Sequence, residues 1–192
     1  MEPPYMMGDP VSGPPRSLTW RRGLLRVRRH LHWWTAALVA VGFAVAWIMT
    51  ALPLTELLVK FLLYQLHKSL GLCVSGLAAL RLFLAWRTGD VPRGSQAVLY
   101  ALLLVVPLLG YLTAAASPTT VPTLFFLLFR VPHVIAPDQA VFDAIRPLHK
   151  WLAIGLVGLA VWHAVRMSRR ASGLAALRVA RSGHAHPPAE PQ

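Results

Sequence analysis

The chain has 192 residues, 56% of them hydrophobic and only 14% charged, yet its formal net charge is +12. A soluble globular protein carries about 25% charged residues, and a disordered chain lacks this hydrophobicity. Long charge-free runs exclude nucleic-acid binding as the source of the basicity, and a single Cys73 excludes a disulfide scaffold. The class that remains is a one-domain integral membrane protein with its charge pushed into the flanks.

Residues 1–22 read as a Pro- and Arg-rich tail, expected to be disordered. No signal peptide is expected: six arginines and some 30 residues precede the first apolar run, which is too long for an h-region. A bilayer core needs about 20 mostly apolar helical residues. The first span is 31–52, free of Asp, Glu, Lys and Arg. The second is 61–86, interrupted only by Lys68 and Arg81. The third is 96–116, with Pro107 inside it. A loop from Ser117 to Arg146 follows, in which Leu124–Phe129 is apolar but too short to span. Prolines at 118, 122, 132 and 137 bracket that piece, which reads as interfacial or re-entrant. The fourth span is 148–167, and 171–192 is a basic, then Pro-rich, tail. The expected fold is all-α: a transmembrane four-helix bundle over residues 23–170.

Lys and Arg counts in the flanks set the orientation. Fourteen fall on the side of the termini and the loop between spans 2 and 3, against five on the other. Both termini are therefore expected in the cytoplasm. The basicity is a topology signal and a contact for anionic lipid, not for nucleic acid.

Eight histidines stand out in so apolar a chain. His184 and His186 lie in the polar tail, and His133 sits in the Pro-rich loop with no evident partner. His30 and His32 are two residues apart, so they point to opposite sides of a helix. His32 leads into Trp33, Trp34 and the apolar run, and is taken as the core-facing one. His149 and His163 are 14 residues apart on one helix. At 100° per residue they share a face to within about 40°, and they stand about 21 Å apart along the axis. Topology puts His32 at the cytoplasmic depth of His163, and His67 at the outer depth of His149. Two imidazoles facing each other can hold one haem iron axially, so two pairs imply two haems b. One Cys excludes covalent c-type attachment. Two distant His pairs without a Cys or carboxylate cluster are a poor zinc or copper set.

These residues resemble the prokaryotic cytochrome b561 family. The matching pieces are Arg29-x-x-His32-Trp33, His67-x-Ser69-x-Gly71, Arg81-Leu82 and His149-x13-His163, over about Arg26 to Val165. The resemblance implies that His32 and His163 hold a cytoplasmic-side haem, and His67 and His149 a periplasmic-side one. It implies electron transfer between quinol or quinone and a periplasmic or cytoplasmic redox partner in a bacterial inner membrane. Oxidation of superoxide with quinone reduction is one option it carries. The chain departs from the family where Ala164–Arg170 replaces a His-rich stretch, and where Gly94-Ser95-Gln96 replaces a His at the head of helix 3.

Lys68, Arg146 and Lys150 flank the outer ligands and are candidate contacts for haem propionates or an anion. Catalytic residues beyond the ligands are not evident. Two alternatives stand beside the electron carrier. One is a haem b anchor subunit of a dehydrogenase or hydrogenase. The other, from a different class, is a haem-free transporter or structural membrane protein.

Overall fold

The structure is a computed structural model and describes residues 16–183. Four helices carry the fold: α1 (Arg16–Ala51), α2 (Leu57–Arg87), α3 (Ser95–Ala116) and α4 (Gln139–Gly183). Each contains a window long and apolar enough to cross a membrane. The chain is a multi-pass membrane protein of helical-bundle type. Its large apolar side chains point outward in numbers no soluble protein tolerates, Trp33, Trp34, Trp47 and Trp151 among them.

Sequence neighbours pack on each other, α1 on α2, α2 on α3 and α3 on α4, while α1 and α4 touch little. The core is formed by Val74 and Ala78 of α2, Leu103 and Val106 of α3 and Leu156 of α4, with Leu38 and Val39 of α1 against it.

The helices outrun the expected spans, and each extension has a local cause. α1 starts at Arg16, so residues 16–22 are helical where a disordered tail was expected. Arg and Leu are good helix formers, and charge removes a segment from the bilayer without breaking its helix. Residues 1–15, like His184 and His186, lie outside the described residues. α2 starts at Leu57, before the expected residue 61. Lys60 ended the apolar run in sequence, but its Nζ donates to the Leu52 carbonyl at 2.8 Å and caps the end of α1. α4 starts at Gln139 rather than 148. Asp138 caps it, accepting from the Val141 N–H at 3.0 Å, and Pro147 sits inside the helix. At its other end α4 runs on through 171–183, the first part of the expected tail.

The α2–α3 turn is a tight C-cap. Gly89 takes φ +69°, the Asp90 N–H donates to the Ala85 carbonyl and the Gly89 N–H to that of Trp86. Arg28 of α1 reaches over this turn to Asp90 (2.6 Å) and Thr88 (3.2 Å).

The loop expected from Ser117 to Arg146 is not featureless. It holds an antiparallel hairpin, β1 (Thr123–Phe125) and β2 (Phe129–Val131), with Leu124 opposite Arg130. The hairpin lies against α2 at Gln65 and Ser69, both fully buried.

Candidate paired-histidine sites

The helices bring His67 of α2 and His149 of α4 face to face. Their ring centroids are 6.2 Å apart and their planes 78° apart. One metal bonded at about 2 Å to a nitrogen of each ring, with each centroid about 1 Å further back, calls for a separation of about 6 Å. The hydrogen bonds agree with that use. His67 Nδ1 lies 3.0 Å from the Gly42 carbonyl, and His149 Nδ1 lies 2.9 Å from the Val106 carbonyl. A carbonyl only accepts, so Nδ1 carries the proton in both rings. Each Nε2 is left with a lone pair, the tautomer a metal needs.

The backbone makes room for this pair. Pro107 in α3 has no N–H to give to the preceding turn. One turn on, Gly110 faces the imidazole: a Cβ there would stand 2.8 Å from Cε1 of His149 and 3.2 Å from its Nδ1. His149 thus lies in a cradle that any side chain at 110 would fill. The donor set and the cradle both fit a bis-imidazole haem.

The second pair sits toward the end of the bundle that carries the chain termini. His32 of α1 and His163 of α4 are both half-buried and close enough to interact electrostatically. His30 is exposed. The hydrogen bond at His32 differs in kind from those of the first pair. Arg81 Nη2 lies 3.1 Å from His32 Nδ1, and a guanidinium only donates, so Nδ1 accepts. In the neutral ring the proton then sits on Nε2. The residue types and the shared level suit iron. The tautomer does so only when Arg81 turns to another acceptor. The Arg81 guanidinium also lies 5.1 Å over the Tyr100 ring.

Among the described residues, no three His, Cys, Asp or Glu side chains converge on one point. Each pair is a two-nitrogen set.

The expected propionate contacts are dispersed. Lys68 Nζ is 3.5 Å from the Pro122 carbonyl, on the hairpin. Arg146 lies over the Phe142 ring and Lys150 over that of Trp151, each on its own helix.

The sequence matches the prokaryotic cytochrome b561 family over residues 26–168. The chain belongs to that family. It is therefore a membrane cytochrome whose cofactor is haem b and whose work is electron transfer. No curated protein matches it. The match covers both histidine pairs and the hairpin.

Sequence reasoning missed three parts of this site. His133 has partners after all: its Nε2 lies 3.1 Å from Thr123 Oγ1, and Tyr111 is edge-on to its ring. Such a contact arises from hairpin register, which no spacing rule reveals. Gln65 also went unnoticed and Ser69 entered only as part of the family motif, although two polar residues four apart in an apolar run are a legible sign. Arg81 counted as flank charge and as part of a family motif, with no link to His32, yet its guanidinium lies against that ring.

Proposed function

We propose that this cytochrome holds two haems b at different depths and passes electrons along the bundle to or from membrane quinone. His67 and His149 hold the haem near the periplasmic face, and His32 and His163 the one near the cytoplasmic face. The membrane is the bacterial inner membrane and both termini are cytoplasmic. The observation that carries this reading is the facing pair His67 and His149, at the separation one metal needs and with both Nδ1 protons held by carbonyls. His163 stands on the same helix about 21 Å away, close enough to His32 to interact with it electrostatically.

Bound haem supplies one-electron redox chemistry. The chain supplies the rest. The Gly42 and Val106 carbonyls fix the ring orientations and raise imidazole basicity. Gly110 keeps the space beside His149, and the surrounding apolar side chains exclude water. Quinone exchange is supported at the His32 level. There a groove of about 290 Å³ is lined by Leu82, Val91, Pro92, Tyr100 and Leu104. Its one aromatic hydroxyl belongs to Tyr100, which Arg81 links to His32. An apolar slot with one polar group suits a quinone head. At the other end, Lys68 and Arg130 set a positive field around His133. That field favours an anionic donor such as superoxide.

A second reading, the anchor subunit of a dehydrogenase or hydrogenase, draws on the length of α4. The helix continues from His163 to Gly183, about 30 Å of surface for a partner. Recovery of a stable partner enzyme in gentle detergent favours it; electron transfer by the isolated chain favours the carrier.

The deciding experiment is a reduced-minus-oxidised spectrum with haem stoichiometry on the wild type and the four His→Ala variants. His67→Ala and His149→Ala should each remove the same haem and leave about half the pigment, and His32→Ala and His163→Ala the other half. A wild-type protein with no b-type band sinks the proposal. A single band lost on substituting either His67 or His32 sinks the pairing.

A further inference from the structure

The hairpin has an unusual tip. Phe126, Leu127, Leu128 and Phe129 are all exposed, Leu128 at 79%. Two of them are bent against their own preference: Phe126 has φ +46° and Leu127 φ +62°. The left-handed region crowds the Cβ of a bulky L-residue against its own backbone. A water-exposed turn of this shape is normally built from Asn or Gly, which are polar or unstrained there. Here the chain accepts the strain and keeps large apolar side chains, so their surroundings must favour them.

The anchorage of the hairpin says what those surroundings are. Gln65 and Ser69 stand four and eight residues beyond Phe61, where the apolar run of α2 begins. That is about 6 and 12 Å along the helix, at hydrocarbon depth. The strand edge turned toward α2 is satisfied by these two side chains. Gln65 donates to the Pro122 carbonyl and accepts from the Leu124 N–H, both at 2.9 Å. Ser69 Oγ accepts from the Phe126 N–H at 2.8 Å and stands 3.3 Å from the Leu124 carbonyl. Backbone that water can reach needs no such provision. Backbone in lipid does, because no water is there to pair a free N–H or C=O.

We infer that the hairpin is a lipid-embedded finger: the Phe126–Phe129 tip lies in the acyl region of the leaflet at that end of the bundle, not in water. Strain, apolar side chains and side-chain capping of the strand edge then have one cause. The finger is pinned two residues, about half a turn, either side of His67, so the lipid contact also braces the helix that carries this ligand.

The test uses the full-length, haem-loaded protein in lipid vesicles, with Cys73→Ser as background. A polarity-sensitive fluorophore is attached at Leu128→Cys and, separately, at Leu127→Cys. Thr119→Cys, in the exposed approach to the hairpin, is the reference. The label at 128 or 127 should emit blue-shifted light. Lipids with a nitroxide on the acyl chain should quench it several-fold more than the label at 119, and aqueous iodide several-fold less. Iodide quenching at 128 and 127 equal to that at 119 overturns the inference. So does shielding from both quenchers, which would mean that a second copy or another protein covers the tip. The haem spectrum of each labelled variant reports separately on the histidine sites, so failure here leaves the electron-transfer reading unaffected.

Discussion

At Gly110 the missing Cβ is itself a structural element. A methyl group there would overlap His149 Cε1 at 2.8 Å, and the neighbour is a ring fixed by its own hydrogen bond to Val106. Gly110→Ala should displace the imidazole and cut haem content by about half, the share of one site in two. Gly71→Ala is the control, because its Cβ would meet Pro107 at an ordinary 3.8 Å. Haem per protein, read beside helicity by circular dichroism, separates a lost site from a lost fold. His133 carries a second residue-scale prediction. Burial lowers its pKa below the ordinary 6.5, and the charges of Lys68 and Arg130 push the same way. A folded-state pKa below the unfolded value means that protonation favours the undocked state. Docking of the hairpin is therefore at full strength above the unfolded value and weakens as pH falls through it toward the folded value. Protection of the amides over Thr123–Val131, taken relative to intrinsic exchange at each pH, should fall as pH drops below about 6.5. His133→Gln should remove that dependence.

At the scale of elements, the four spans were legible because a charge-free run of about 20 residues matches the bilayer core and is too apolar for a soluble helix. Helix ends were not, because hydropathy measures the bilayer and not the helix. Lys60 ended the apolar run but caps α1, and Pro147, just before the expected span, sits inside α4. The histidine levels followed from helix direction and a 14-residue interval, which is local arithmetic. The Arg81 contact with His32 needed the packing of α2 on α1, a relation between elements distant in sequence. The hairpin was the least legible, since its strands are three residues long and its partners are side chains of α2. Gln65 holds two of its backbone groups. Gln65→Leu should leave the Leu124 N–H unpaired and the Pro122 carbonyl with only the 3.5 Å approach of Lys68 Nζ, at a cost of about 1–3 kcal/mol. Faster exchange at the Leu124 amide, with a lower Tm, would register the loss. Unchanged exchange there would mean that the hairpin holds without Gln65.

Across the whole molecule, charge and function sort along one axis. Arginine gathers where α1 starts, where α2 turns into α3 and where α4 continues past His163. The hairpin closes the opposite end, with His67 and His149 beneath it. In the orientation proposed above, which follows the positive-inside rule, the arginine-rich end faces the cytoplasm. An electron entering beside the hairpin and leaving beside Arg81 would then cross from the periplasmic side inward, over the roughly 21 Å that His149 and His163 mark on α4. Single cysteines in a Cys73→Ser background decide the orientation. Thr119→Cys, at the hairpin end, should react with a membrane-impermeant maleimide on intact spheroplasts. Arg93→Cys, in the α2–α3 turn, should react only after permeabilisation. The reverse pattern would put the His67 and His149 pair on the cytoplasmic side. It would also require some force other than flanking arginine to have set the topology.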